Sequence, residues 1–261
     1  MKSIKFGIKE IVNFNYCPVL WLLIKSGLTK ETPARFNGTL IHVIHKELID
    51  YVNNLRVYPK KITRGELTKE LKALALRTLE RNKWWKILSL HQQRFVREIV
   101  NYLVEDATSL YFNRTKVRVR VEVELESKKL PLKGILDRIE FYKDKVRLIE
   151  LKTSSEIKPS YILQLAGQSI LVEECFKKEC TAGEIWLLPP NFKCPVELIR
   201  ARKEFLNLLS RLQNLSEEEF FERTGNCESC LMRYYCPKRN GRIEILRKMI
   251  KKAVKEVFEN G

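Results

Sequence analysis

The chain has 261 residues, of which 44% are hydrophobic. That is enough apolar material for one large packed domain, and it excludes wholesale disorder. Lys and Arg number 49 against 32 for Asp and Glu, leaving +17, an excess that predicts a polyanionic partner, either nucleic acid or an anionic membrane. No run approaches the roughly 18 apolar residues of a membrane-spanning helix, and the start MKSIKFGIKEIVNF lacks a signal-peptide core. The expectation is therefore a soluble, cytoplasmic protein without a membrane partner, whose polyanion is nucleic acid.

Residues 5–25 read as a helix ending near Gly27, with Cys17 inside it. Thr32-Pro33 marks a break, and a second helix runs from Thr39 to about Val52, with Leu40, Ile41, Ile44 and Leu48 at helical spacing. After Pro59, residues 64–112 are helical in two or three segments. The period then changes: Val117, Val119, Val121, Val123 and Leu125 alternate with charged residues, the pattern of a half-buried strand. Leu132 to Tyr142 and Val146 to Thr153 are two further strands joined by the polar turn Lys143-Asp144-Lys145. A helix from Ser160 to about Lys177 and a strand from Glu184 to Leu188 follow, the latter ended by Pro189-Pro190. Residues 200–213 and 217–223 are helical, and Arg242 to Phe258 form an amphipathic helix with Ile243, Leu246, Ile250, Val254 and Val257 on its apolar face. The fold class is α/β or α+β, with a small mixed sheet flanked by helices. One domain covers 1–261; within it lie a helical insertion over 55–115, a core over 117–190 and a basic C-terminal helix over 241–258.

The strand pair 132–154 carries charges that a sheet must justify. Glu150 and Lys152 are two apart and share one face. A hairpin turning at 143–145 pairs residues whose numbers sum to about 287 or 288, which sets Asp137 opposite Glu150. Two acids and one lysine thus meet on a partly buried patch. Two carboxylates can hold a hard divalent cation such as Mg²⁺ or Mn²⁺. Such an ion polarises a phosphodiester and lowers the pKa of an attacking water. A lysine beside it, desolvated and near the cation, would have its own pKa drawn down. The alternative is an ordinary cross-strand ion pair.

There are seven cysteines, an odd number that argues against a disulfide framework. Cys227-x₂-Cys230-x₅-Cys236-Pro has the spacing of a zinc or iron–sulfur site, and spacing leaves both open. A fourth ligand must come from elsewhere, with Cys17 in Asn15-Tyr16-Cys17-Pro18 the candidate. Cys175, Cys180 and Cys194 read as bystanders.

Gly134-x-x-Asp137 followed by Glu150-x-Lys152 resembles the core of the RecB-like branch of PD-(D/E)xK nucleases. Gly38-Thr39-Leu40-Ile41-His42 resembles that branch's helical G-x-x-x-H motif, with His45 in reserve. Gln164 matches its glutamine, although Gln168 stands where a tyrosine is usual and Tyr161 lies one turn earlier. The divided cysteines resemble the iron–sulfur subgroup, which includes the CRISPR-associated RecB-like exonucleases. The resemblance implies a restriction-endonuclease-like core. It implies a metal held by His42, Asp137, Glu150 and the Leu151 carbonyl, with Lys152 activating water and Gln164 assisting. It also implies a 4Fe–4S cluster on Cys17, Cys227, Cys230 and Cys236 that pins together modules at 1–30 and 222–240. The activity implied is exonucleolytic cleavage at single-stranded DNA ends during spacer acquisition, beside CRISPR integrase proteins. A repair or replication nuclease of the same build, and a non-catalytic iron–sulfur DNA-binding subunit, are the alternatives. Trp84, Trp85 and Phe95, with Arg77, Arg81, Lys83 and Arg94, either pack the helical region or clamp a single strand.

Overall fold

The computed structural model describes residues 5–28, 33–113, 117–222, 225–228, 230 and 232–259. The break expected at Thr32 and the apolar side chain of Val257 fall outside that description. A six-stranded sheet runs β1 (Phe6–Gly7), β3 (Leu132–Phe141), β4 (Val146–Lys152), β5 (Ala182–Leu187), β6 (Phe192–Glu197), with β2 (Arg118–Glu126) along the free edge of β3. β1 lies parallel to β3 and β4 parallel to β5, while the β2–β3, β3–β4 and β5–β6 pairs are antiparallel.

The first segment differs from the single helix expected. It is the short strand β1, then α1 (Ile8–Tyr16) and α2 (Pro18–Lys25), with Cys17 extended between them. Pro18 explains the break, because proline disfavours helical backbone in the residue before it and suits the first position of a new helix. The next helix, α3 (Pro33–Val57), extends beyond both expected ends and runs through Gly38. α4 (Arg64–Arg81) and α5 (Leu90–Phe112) each begin with a reciprocal cap, Thr63 with Glu66 and Ser89 with Gln92, a device that contributes about 1 kcal/mol. A single 3₁₀ turn, Trp85–Ile87, links them. The 55–115 region is not merely appended: Leu71, Leu79, Val96 and Leu103 share one apolar cluster with Leu48 of α3 and with Ile149 and Leu151 of β4.

The other face of the sheet is covered by α6 (Pro159–Phe176), α7 (Ile199–Gln213), the one-turn α8 (Glu218–Glu222) and α9 (Ile243–Glu259). Trp21 and Leu22 of α2 pack there with Phe205, Phe220 and Leu246, so the two ends of the chain share one core. Strand β6 was not expected from the sequence. Pro195 interrupts its pattern, and a proline in a strand is tolerated only at an edge, which is where β6 lies.

One residue re-aims β2. Glu122 has φ +49°, an uncommon conformation for a non-glycine residue. Before it, Val119 and Val121 join the cluster under α3 and α5; after it, Val123 and Leu125 pack on the α6 side. The alternation read from the sequence is real, but it changes faces at Glu122.

Candidate active site

The hairpin register is as expected. Arg138 pairs with Ile149 and Phe141 with Val146, so the numbers sum to 287. Continuing that register sets Asp137 across from Glu150. There the strands part, and the backbone N–H of Leu151 donates to Asp137 Oδ2 at 2.8 Å. Gly134 permits the close approach of α1, since a Cβ there would lie 2.5 Å from Ile8 Cδ1.

Three elements bring ligand atoms together. His42 of α3 hydrogen-bonds through Nδ1 to Glu122 Oε1 of β2 at 2.8 Å, and the same nitrogen lies 3.6 Å from Asp137 Oδ1 of β3. One ligand atom from each of these three side chains lies within 4.8 Å of the others. Glu122 was not anticipated. It belongs to an alternating row of charges, Arg118, Arg120, Glu122 and Glu124, in which nothing marks it out; its left-handed backbone turns it toward His42. His45, the reserve ligand, lies elsewhere: it is buried, and neither ring nitrogen has a hydrogen-bond partner among the described residues.

Glu150 occupies a separate nest. Lys152 Nζ donates to its Oε1 at 2.5 Å, Gln164 Nε2 to the same oxygen at 2.5 Å, and Gln168 Nε2 to Oε2 at 2.7 Å. Gln164 Oε1 in turn accepts from Lys152 at 2.9 Å. The glutamine standing in place of a tyrosine therefore has a definite task, holding the second Glu150 oxygen. Tyr161 lies under the ammonium of Lys152, 4.7 Å from ring centroid to Nζ.

Burial and the charge of Glu150 push the Asp137 carboxyl up to about 7, against the opposing pull of His42 and Lys152. Glu150 is shifted down: burial favours its neutral form, but Lys152, the Gln168 donor and the charge of Lys9 outweigh it. His42 is shifted up, because Asp137 and Glu122 overcome the desolvation that favours neutral imidazole. Lys152 is also raised, burial being outweighed by Glu150 and Asp137. The depressed lysine expected from the sequence presupposed a neighbouring cation; with two carboxylates as its neighbours the sign is the opposite.

The site opens on both sides of α3. A cavity of about 630 Å³ is lined by His42, Glu122 and Asp137 with the basic side chains of Lys9, Arg35 and Lys46. Another, about 470 Å³, is lined by His42, Lys152, Lys158 and Tyr161. Gly38 borders both. A larger hollow of about 800 Å³ follows the edge of β2 and meets these groups only at Glu122; its size brings no chemistry with it.

In the core that joins the two ends of the chain, Cys17, Cys230 and Cys236 pack with α2 and α9. Burial pushes the Cys230 thiol up, a hydrogen bond from the Met232 backbone opposes this, and the charges of Cys17, Cys236 and Cys227 add to the rise. All four cysteines are therefore electrostatic neighbours, and none is in a disulfide. The Tyr16 hydroxyl donates to the Asn226 carbonyl at 2.9 Å. Gly225 sits so close that a Cβ would lie 2.7 Å from the Tyr16 carbonyl oxygen. Of the remaining cysteines, Cys180 is buried, Cys194 intermediate and Cys175 exposed.

No helix among the described residues is long and apolar enough to cross a membrane. No curated protein matches the chain. A solved structure described as "Crystal structure of SSO0001" is similar at 15% identity, over 89% of this chain and 97% of that one, with a TM-score of 0.36. The sequence profile of the PD-(D/E)XK nuclease superfamily matches residues 6–237, and with that match across nearly its whole length the chain belongs to the PD-(D/E)XK nuclease superfamily.

Proposed function

We propose that the protein is a metal-dependent deoxyribonuclease that shortens single-stranded DNA ends, carries a 4Fe–4S cluster, and trims fragments for CRISPR spacer acquisition beside integrase proteins. The observation that carries the nuclease reading is the convergence of His42, Glu122 and Asp137 at a basic cleft, with Glu150 and Lys152 next to them. An imidazole and carboxylate oxygens, left with an excess of negative charge, fit Mg²⁺ or Mn²⁺. His42, Glu122 and Asp137 would hold the ion, joined by Glu150 and the Leu151 carbonyl. When bound, it would polarise the scissile phosphodiester and make water a better nucleophile.

The chain's own groups have separable tasks. Gln164 and Gln168 fix both oxygens of Glu150, so the carboxylate cannot rotate freely. Lys152 keeps its proton against Glu150 and presents a positive donor that can orient the attacking water or neutralise charge developing on the phosphate. Lys9, Arg35 and Lys46 attract the phosphates flanking the cut, so affinity falls with added salt.

Four neighbouring thiols on two distant segments form a donor set that suits an iron–sulfur cluster or zinc. The cluster is preferred because the divided arrangement resembles the iron–sulfur nucleases, and Cys17, Cys227, Cys230 and Cys236 would hold it. Bound there, it would tie the two ends of the chain together. The pathway assignment rests on the same resemblance.

The test is anaerobic purification with iron and sulfide analysis, beside Mn²⁺-dependent digestion of end-labelled single-stranded DNA. Roughly four irons per chain are expected, and cleavage should fall about 10²–10⁴-fold in Lys152→Ala. Zinc in place of iron removes the cluster and leaves the nuclease. Iron with no cleavage under any divalent metal favours the non-catalytic DNA-binding subunit.

A further inference from the structure

An aromatic pair, one residue along α3 from the cleft-lining Arg35, takes no part in the chemistry above. Phe36 of α3 and Trp84, which follows α4, stack with ring centroids 4.5 Å apart and planes 14° from parallel. Lys83 Nζ lies 4.7 Å from the Trp84 centroid. The residue before Phe36 is Arg35, which lines the larger cavity at the metal site. Phe36 precedes His42 on the same helix by about 9 Å of rise, the distance of a flanking nucleotide rather than the scissile one. Both rings are half-buried, each packing one part of its surface against the apolar cluster that buries Trp85 and leaving the rest open. Ile87, in the same short connection, and Leu90, at the start of α5, leave apolar surface exposed.

Two stacked rings with a cation at one face, a second cation leading to the catalytic cleft and apolar surface alongside match the chemistry of an unpaired base. The base offers a π-face, and its phosphate offers negative charge. Bases in a duplex already spend their faces on each other and cannot use such a surface. We infer that Phe36 and Trp84 form a stacking platform for an unpaired base of the DNA strand next to the cut, with Lys83 and Arg35 on its phosphates. The inference rests on the deoxyribonuclease reading and gives it a reason to prefer single strands.

Tryptophan fluorescence reports on this directly. Trp21, Trp85 and Trp186 are 1%, 8% and 1% exposed, so a bound base can reach only Trp84. Titration of the full-length protein with an oligothymidine in EDTA should quench emission, and the quench should vanish in Trp84→Phe. In Mn²⁺, Trp84→Leu should raise KM for single-stranded DNA about 10-fold with a much smaller change in kcat, and Trp84→Phe should restore the wild-type KM. Melting temperatures of both variants separate this from loss of packing. A Trp84→Leu protein that melts lower but cleaves with the wild-type KM, or a quench that persists in Trp84→Phe, overturns the platform. If the wild type cleaves no better than Lys152→Ala, the deoxyribonuclease reading fails, and the quench still decides whether the platform takes DNA.

Discussion

The two faces of the β3–β4 hairpin carry charged clusters that begin one residue apart and differ in kind. On the face toward α5, Arg138 is ion-paired with Asp106 and Glu140; Arg147 reaches Glu140 at 2.7 Å and Lys193 reaches Asp106 at 2.7 Å. Each acid there has a cation, and the titrations follow: despite burial, Arg138 and Lys193 hold Asp106 down at about 2. On the other face, Asp137 has Glu150 for a neighbour and is pushed up to about 7. Depth of burial is similar, with Asp137 4% and Arg138 3% exposed. Burial of charge therefore does not by itself mark a catalytic site; an excess of one sign does. The balanced cluster joins helix to sheet, and the unbalanced one has the excess of acid that the metal proposed above would neutralise.

The sharpest way to break this contrast is to change one residue on each face. Asp137→Asn should lower Mn²⁺-dependent cleavage by more than the roughly 10–100-fold that loss of an outer-shell partner costs. The same change should raise the melting temperature of the metal-free protein at pH 8. The reasoning is one of sign: a carboxyl whose folded pKa is raised destabilises the fold once pH exceeds its unfolded value, and asparagine removes that charge while still accepting from the Leu151 N–H. Arg138→Met should do the reverse. It leaves Asp106 only Lys193 and Glu140 only Arg147 and Tyr142, each more open to water than the buried arginine, and should cost up to about 3–5 kcal/mol, read as a lower urea midpoint, yet leave cleavage measurable below its unfolding transition. Equal destabilisation by both changes would mean that the two clusters are alike.

These clusters also show what the sequence could and could not reveal. Asp137, Glu150 and Lys152 were legible because a tight turn and a period of two fix which residues face one another. That Cys17 would lie beside the Cys227–Cys236 loop was legible from the need of three closely spaced thiols for a fourth. Glu122 was hidden, since its direction depends on a positive φ that leaves no trace in the pattern of residue types. Gln168 was visible only as a departure from the expected tyrosine, and its bond to Glu150 requires α6 to dock in one register. Strand β6 was hidden by Pro195, because edge position is a property of the finished sheet. The charge state of Lys152 could not be read from its own strand alone, because it depends on every neighbour at once: the two carboxylates raise its pKa, and a bound cation would act in the opposite direction.

Acid offers a gentler probe of the balanced face. The folded pKa of Asp106 is about 2, against 3.8 for the free side chain. Its contribution is present above the unfolded value and is lost as pH falls through the folded one, and the size of the shift corresponds to about 2 kcal/mol. Glu140 is shifted in the same direction: burial opposes ionisation, but Arg138 and Arg147 prevail. Urea midpoints should thus decline between about pH 5 and pH 2, and the slope should flatten in Arg138→Met. An undiminished slope in that variant would assign the acid sensitivity to other carboxylates.

The smallest effect should come from Lys193. Its ammonium bonds Asp106 at 2.7 Å and lies 4.2 Å from the Trp186 ring centroid. The side chain is 33% exposed, however, so water screens much of the attraction. Lys193→Met keeps the apolar stem over Trp186 and removes only the charge. Asp106 retains Arg138, so no buried acid is left without a partner. The expected loss is about 0.5–1 kcal/mol, with no change in the rate of DNA cleavage. A loss as large as that of Arg138→Met would show that Lys193, despite its contact with water, is as necessary to the balance as the buried arginine, and that the cluster responds as a single network rather than as separable pairs.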